Sequence, residues 1–224
     1  MADAAHGKKG TVVLFKAAKD GTDQYVQELE AIGLNAVCIP VLRFTMRNLE
    51  ILERALKCPE LYSGMILTSQ RAVESIQVLI QANVEDWNST YRERWRSLPV
   101  FVVGGATCDA AEKLGFSTQG RDSGNSEALL TIIMTGLKDK SKPLLFPCGN
   151  LRKETIPKSL TEAGIPFKDV CVYETTADPN IESRLSALLQ EQDIPDFMVF
   201  YSPSGVTYTH DIFNKLNFPI AKTK

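Results

Sequence analysis

Short apolar segments alternate with longer segments of helical periodicity along most of the chain. The first such pair is residues 12–15, which are all apolar, followed by residues 23–32, where apolar side chains recur at helical spacing. Equivalent pairs follow at 65–67 with 69–80, 100–103 with 107–114, 144–146 with 153–163, and 198–200 with 204–216. Buried parallel strands are continuously apolar and are connected through helices, so this alternation predicts an α/β fold with parallel sheets.

The alternating units also repeat at a nearly constant offset. Leu14-Phe15 recurs as Leu145-Phe146, 131 residues later, and MILTSQRAV at 65–73 resembles MVFYSPSGV at 198–206, an offset of 133. This spacing favours two related halves. Chance similarity remains the alternative, because every βα unit carries an apolar run and small turn residues. If the halves are related, the counterpart of residues 100–107 would begin near position 233, beyond Lys224, so the second half is predicted to be shortened.

Three segments interrupt the alternation. Residues 40–48 and 173–180 occupy equivalent places in the two halves and follow strand-like runs without starting a clear helix, so we interpret them as crossings between domains. Residues 83–99 contain two tryptophans among many charges and are predicted to form a surface excursion with at least one helical turn.

Charge and cysteine content limit the classes of partner. The chain has 25 Lys and Arg against 27 Asp and Glu, a net charge of −2, so it offers no global field for nucleic acid or an anionic membrane. No apolar run approaches the ~18 residues that cross a bilayer, and residues 1–10 lack the apolar region of a signal peptide. Five widely spaced cysteines at 38, 58, 108, 148 and 171 are expected to be free thiols. We therefore predict a cytoplasmic protein.

Candidate chemistry lies where strands end and helices begin. Only His6 and His210 are available, which leaves little material for a Ser-His-Asp triad or a histidine metal site. In open parallel sheets, ligands bind at the carboxyl ends of strands, and the turns there are 68–71, 104–107, 147–150 and 201–205. None matches a nucleotide-binding fingerprint or a hydrolase elbow. For any one turn, the alternative is that its Ser, Thr or Asn side chain simply caps the helix that follows. Together, in repeated halves, they favour an anion-binding cleft.

Four segments carry a resemblance to a known family. ILTSQRAV at 66–73, FPCGNLR at 146–152, VYET at 172–175 and YSPSG at 201–205, in this order, resemble eukaryotic uroporphyrinogen-III synthases. The resemblance extends from about residue 12 to residue 216. It implies two flavodoxin-like parallel-sheet domains joined by a two-stranded connector. Residues 10–41 with 175–224 would form the first domain, residues 45–171 the second, and residues near 40–48 and 172–180 the connector.

The resemblance also implies an activity. Such an enzyme works without a cofactor and is expected to be a monomer, with neither nucleic acid nor a membrane as partner. It closes hydroxymethylbilane into a ring with inversion of the last pyrrole and loss of water. Nothing after Leu216 resembles the family's next strand and turn, so the first domain is predicted to be incomplete. Two alternatives stay open: an inactive shortened form and a non-catalytic anion-binding module.

The implied site residues follow from the matched motifs. Tyr173 matches the family's tyrosine, and a phenol that is mostly protonated at neutral pH can hydrogen-bond the departing hydroxyl. The alternative for Tyr173 is a connector residue with a packed ring. The predicted binding residues for the substrate carboxylates are Thr68, Ser69, Gly104, Thr107, Gly149, Asn150, Ser202 and Ser204. Lys16, Arg71, Arg152 or Lys153 would add charge, with solvated surface cations as the alternative.

Overall fold

A computed structural model describes residues 9–19, 21–191 and 194–218, and it confirms the α/β alternation. The strands are β1 (Thr11–Phe15), β2 (Asn35–Cys38), β3 (Leu42–Met46), β4 (Gly64–Leu67), β5 (Val100–Val102), β6 (Thr118–Gln119), β7 (Leu144–Gly149), β8 (Phe167–Ala177) and β9 (Phe197–Phe200). The helices are α1 (Gln24–Ala31), α2 (Leu49–Leu56), α3 (Gln70–Ala82), α4 (Val84–Asp86), α5 (Arg92–Arg96), α6 (Gly105–Lys113), α7 (Ser126–Gly136), α8 (Thr155–Glu162), α9 (Ile181–Glu191) and α10 (Pro203–Lys215). A 3₁₀ turn (Pro59–Leu61) and a π-helical turn (Trp87–Tyr91) complete the described elements.

The chain divides into two compact units, residues 1–43 with 176–224 and residues 44–175. It passes from one unit to the other within β3 and within β8. The resemblance implied particular domain bounds and a two-stranded connector. Both stay predictions.

The unit of residues 44–175 is built on a sheet of order β3-β8-β7-β4-β5-β6, in which β4 to β8 pair in parallel. In chain order the strands β4 to β8 have the arrangement 5-4-1-2-3, which is a circular permutation of the 2-1-3-4-5 order of flavodoxin-like sheets. Successive side chains alternate between the faces. Met65 and Leu67 pack under α2, α3 and α6, whereas Ile66 packs under α7 and α8. Both faces are covered, which explains why these strands are continuously apolar.

The prediction of a surface excursion at 83–99 is wrong for its two tryptophans. Trp95 is fully buried, and its indole Nε1 donates a hydrogen bond to the carbonyl oxygen of Leu56 at 2.8 Å. Its ring lies beside Tyr62 at 5.9 Å and meets Phe116 edge-on at 6.5 Å. This segment therefore places an aromatic side chain in the core despite its many charged residues. An indole buries a large apolar area, and its N–H can still form a hydrogen bond there.

The other unit contains a three-stranded parallel sheet of order β2-β1-β9. Its core stacks Phe15 on Phe200 with ring centroids 4.4 Å apart, and Phe213 of α10 meets both rings edge-on. The order β2-β1-β9 equals the order β8-β7-β4 of the larger sheet. This is the pairing that the repeat offsets predict, so the topology agrees with two related halves. Among the described residues, no helix is both long and apolar enough to span a membrane.

Candidate functional site

The unit of residues 44–175 has a hollow at the point where its strand order reverses. From β4, the chain builds the sheet outward through β5 and β6, and later places β7 and β8 on the opposite side. In sheets of this type, ligands bind outside the carboxyl ends of the two strands at the reversal, here β4 and β7. A hollow of about 330 Å³ lies there, and Thr68 and Ser69 after β4, Gly149 of β7 and Tyr173 of β8 line it.

Two helices begin at this hollow. Ser69 precedes α3, and its hydroxyl accepts a hydrogen bond from the backbone N–H of Arg71 at 3.1 Å. Asn125 precedes α7 in the same way, accepting from Ala128 N–H at 2.8 Å. Ser69 therefore does cap a helix, and it lines the hollow as well. The positive ends of two helix dipoles, together with unpaired N–H groups of the first turns, favour an anion in this position.

The ring of Tyr173 lies directly against the backbone of Gly149. A Cβ added to Gly149 would be 2.5 Å from two ring carbons, Cε2 and Cζ, and 2.8 Å from the phenolic oxygen. Only a residue without a side chain allows the ring to take this position. Both residues line the hollow, and Tyr173 also packs against the core of this unit, so its role as an acid and the alternative of a packed connector residue both stay predictions.

Asn150 follows Gly149, and its side-chain amide is engaged with the backbone. Its Nδ2 donates to the carbonyl oxygen of Thr175 at 3.2 Å, and its Oδ1 accepts from the N–H of Thr175 at 2.8 Å. Asn150 is not among the residues that line the hollow. Its predicted role in carboxylate binding stays a prediction.

The cations at the hollow differ in their availability. Arg152 donates to Glu154 at 2.6 Å and to Asp169 at 2.7 Å, so two carboxylates already neutralise its guanidinium. Lys153 also lines the hollow, and its ammonium forms no ion pair with any residue that the structure describes. Lys153 is therefore the better placed of the two to attract an anionic ligand.

Two observations concern the thiol beside this site and the possible metal ligands. Cys148 is buried beside Gly149, and burial raises the pKa of its thiol to about 11, so the thiol is protonated and unreactive at neutral pH. Within residues 9–19, 21–191 and 194–218, no three His, Cys, Asp or Glu side chains are grouped so that they could hold a metal ion.

Two of the predicted binding residues lie at the start of α6. Gly104 precedes this helix with φ of 79°, a left-handed conformation that favours glycine. Thr107 is buried in the first turn. Neither is among the residues that line the hollow, and their roles in substrate binding stay predictions.

Two more predicted binding residues belong to the other unit. Ser202 precedes α10, and its hydroxyl accepts from Gly205 N–H at 3.3 Å, while Ser204 lies in the first turn. Lys16 of the same unit pairs with Asp23 and lies 4.9 Å from the centre of the Tyr25 ring. Their roles stay predictions too.

Arg71, in the first turn of α3, pairs with Glu74 at 2.7 Å and lies over the Phe44 ring at 4.4 Å. It is not among the residues that line the hollow, and its supporting role also stays a prediction.

Sequence reasoning missed the turn at Asn125 and Ser126, which forms one side of the hollow. The strand before it, β6, has only two residues, too short to appear as an apolar run. A usable signal was present, because an asparagine followed by Ser-Glu-Ala-Leu-Leu is typical of a capped helix start.

Comparisons with known proteins agree with each other. The family model described as uroporphyrinogen-III synthase HemD matches residues 23–224. The uroporphyrinogen-III synthase of Schizosaccharomyces pombe is 32% identical over 202 residues, which cover 88% of this chain and 78% of the relative. That of Saccharomyces cerevisiae is 29% identical over 214 residues, covering 88% and 76%.

Solved structures show the same fold. A mutant uroporphyrinogen III synthase from the extremely thermophilic bacterium Thermus thermophilus superposes with a TM-score of 0.61 at 15% identity, over 92% of this chain and 76% of that one. The uroporphyrinogen-III synthetase of Helicobacter pylori gives 0.61 at 17% identity, over 91% and 78%. At such identities the likeness concerns the fold alone. With the family match over residues 23–224, the conclusion is plain: this chain belongs to the uroporphyrinogen-III synthase family.

Proposed function

We propose that this chain is a lyase of tetrapyrrole biosynthesis, which closes hydroxymethylbilane to uroporphyrinogen III with inversion of the last pyrrole ring and loss of water. The observation that carries the proposal is the family match over residues 23–224, which includes every residue named above as lining the hollow. Two curated relatives that share about three residues in ten with the chain bear the name of this enzyme.

In the proposed reaction, the pyrrole that carries the hydroxymethyl group expels its hydroxyl. The Tyr173 phenol donates its proton to that hydroxyl, which leaves as water, and the pyrrole N–H proton returns to the phenolate. The substituted carbon of the pyrrole at the other end of the bilane attacks the resulting azafulvene, giving a spiro intermediate. This intermediate fragments and recloses with the ring inverted. A positioned general acid typically contributes about 10²–10⁴-fold to such a step.

The acetate and propionate groups of the bilane suit the polar wall of the hollow. Thr68 and Ser69 offer hydroxyls, Gly149 leaves room beside Tyr173, and the ammonium of Lys153 can pair with a carboxylate. At about 330 Å³ the hollow is at the small end of ligand sites, so it would hold part of the bilane rather than all of it.

Geometry, more than reactivity, would decide the product. The bilane closes unaided to the type I isomer, in which no ring is inverted. The protein must therefore favour one carbon over another by holding the two chain ends in a defined orientation, and orientation alone can supply several kcal/mol. A site made of a phenol, hydroxyls and helix N-termini suits this role, because such groups can bind and orient the substrate.

The experiment supplies hydroxymethylbilane from its own synthase, oxidises the products and separates type I from type III uroporphyrin. We expect type III to exceed the amount formed without the chain. No enrichment of type III at any protein concentration would refute the proposed function.

The acid role of Tyr173 is tested by Tyr173→Phe, which keeps the ring and removes the hydroxyl. We expect the cyclisation rate to fall by about 10²–10⁴-fold and the type III fraction to fall with it, as unaided closure competes. Tyr91→Phe, a hydroxyl deletion in the π-helical turn of the same unit, is the matched control and should keep the wild-type rate. An unchanged rate in Tyr173→Phe would remove the acid role and leave the activity itself standing.

The proposal includes action as a monomer in the cytoplasm. The five cysteines are free and lie buried or half-buried, as is typical of proteins from reducing compartments. Sedimentation across a range of concentrations and fractionation of cells test these two points.

A further inference from the structure

The strand that carries Tyr173 changes register directly before it. Along the β7 and β8 pair, Cys148 is opposite Cys171, but Gly149 is opposite Tyr173, so the register skips Val172. An extra residue of this kind bends a strand and re-aims the next side chain. Tyr173 therefore points as it does because of a local irregularity, which the neighbouring residues have to hold in place.

Asn150 supplies that support beyond the end of β7. Its backbone N–H donates to the carbonyl oxygen of Tyr173 at 3.2 Å. Its side-chain amide then binds both backbone groups of Thr175, donating to the carbonyl at 3.2 Å and accepting from the N–H at 2.8 Å. The amide takes the place of a peptide group in the ladder, so β8 stays paired for two residues after its partner strand has ended.

Asn150 and Gly149 both contact β8 at or beside Tyr173. Asn150 binds the backbone at Tyr173 itself and at Thr175, and the backbone of Gly149 lies against the Tyr173 ring. We propose that Asn150 is a positioning residue, which fixes the Tyr173 hydroxyl in the hollow by pairing its amide with the backbone of Thr175. This inference rests on the proposed function, because it is the acid role of Tyr173 that gives the position its importance.

The alternative is direct binding of a substrate carboxylate by the Asn150 amide. The two roles differ in how their losses combine. A residue that acts through the Tyr173 hydroxyl loses its effect once that hydroxyl is gone, whereas a residue that binds substrate keeps it.

The kinetic test is a double-mutant cycle of Asn150→Ala and Tyr173→Phe in the full chain. Asn150→Ala should lower kcat by roughly tenfold to a hundredfold, with a smaller change in KM, since a misplacement near 1 Å costs up to about 10²-fold. In the Tyr173→Phe background, the same change should cost less than about threefold. Losses that multiply in the double variant would overturn the proposal and favour direct binding.

A second readout is independent of activity. With tyrosine labelled by ¹³C at Cζ, each of the six tyrosines gives one NMR resonance, and Tyr173→Phe identifies that of Tyr173 by its loss. We expect Asn150→Ala to shift or broaden the Tyr173 resonance and leave the other five in place. An unmoved resonance would overturn the positioning role even in an active enzyme. If the chain forms no type III isomer but the resonance moves, only the proposed function fails.

Two further variants make the test robust. Asn150→Asp retains an acceptor for Thr175 N–H but places a carboxylate oxygen against the Thr175 carbonyl, so it should also move the resonance. Asn83→Ala is the matched control, because Asn83 donates its amide to the Leu79 carbonyl at 3.3 Å at the opposite end of α3 from Ser69. It should leave both the Tyr173 resonance and the type III fraction as in the wild type.

Discussion

Substituting Gly149 by alanine tests the packing of Tyr173 directly. The backbone of Gly149 is not in the left-handed region, so an alanine meets no conformational penalty there. Its Cβ, however, would be 2.5 Å from the Tyr173 ring, whereas ordinary contact begins at 3.4 Å. The ring must therefore retreat by about 0.9 Å, a displacement that in a packed site costs about 1–3 kcal/mol of unfolding free energy.

The same retreat should reduce activity. A misplacement near 1 Å can cost about 10²-fold in rate, so we expect Gly149→Ala to lower the cyclisation rate by up to that factor and to reduce the type III fraction. Urea unfolding measures the stability change, and the separation of uroporphyrin isomers measures the change in activity.

A double-mutant cycle decides whether the ring is the cause. In a Tyr173→Ala background no ring opposes the new methyl group, so Gly149→Ala should become nearly neutral. Gly105→Ala is the control, because its Cβ would meet nothing closer than Arg121 Nη1 at 3.8 Å and should stabilise α6 slightly. The reasoning is refuted if Gly149→Ala costs as much without the Tyr173 ring as with it.

Two further predictions concern stability. Trp95→Phe leaves the Leu56 carbonyl without its buried donor, so urea unfolding should show a loss of about 1–3 kcal/mol. Asp23 has a pKa of about 2, lowered mainly by the hydrogen bond from Lys16. The stability that Asp23 adds over Asp23→Asn should therefore be complete above its unfolded-state pKa near 4 and disappear as the pH falls toward 2, as measured by denaturation at several pH values.

Either result can fail in a recognisable way. A Trp95→Phe protein as stable as the wild type would mean that the indole hydrogen bond contributes nothing net. A stability difference between wild type and Asp23→Asn that stays constant from pH 7 to about pH 2 would mean that the Lys16 ion pair does not lower the Asp23 pKa.

The sequence predicts best the elements that depend on a local pattern of residues. The apolar runs at 65–67 and 144–146 become β4 and β7, because buried strands of a parallel sheet carry few polar residues. Thr68, Ser69 and Gly149, taken from turns at strand ends, meet at one hollow for a related reason: the carboxyl ends of parallel strands share an edge. Tyr173, which also lines the hollow, was predicted from the family resemblance and lies within β8.

What the sequence could not supply depends on long-range contacts. Trp95 is flanked by arginines, and only its tertiary partners Tyr62 and Phe116 show that it belongs to the core. The Asn150 amide looks like a ligand-binding group in its motif, but it binds the backbone of Thr175, just after a register change that no local pattern indicates. In both cases the sequence shows the chemistry of the side chain but does not show which residue it contacts.

The strand orders β2-β1-β9 and β8-β7-β4 correspond, but the side chains at the two equivalent junctions differ. At the junction of β7 and β4, small residues such as Thr68 and Gly149 leave a hollow open beside Tyr173. At the equivalent junction of β1 and β9, Lys16 and Tyr201 follow the strands, and Tyr25 meets Tyr201 edge-on at 5.4 Å, with the Lys16 ammonium 5.6 Å from the Tyr201 ring. Lys16 at this junction is paired with Asp23, whereas Lys153 at the hollow has no ion pair with any described residue. Among the described residues, the two junctions thus share a strand order and differ in the side chains that follow the strands.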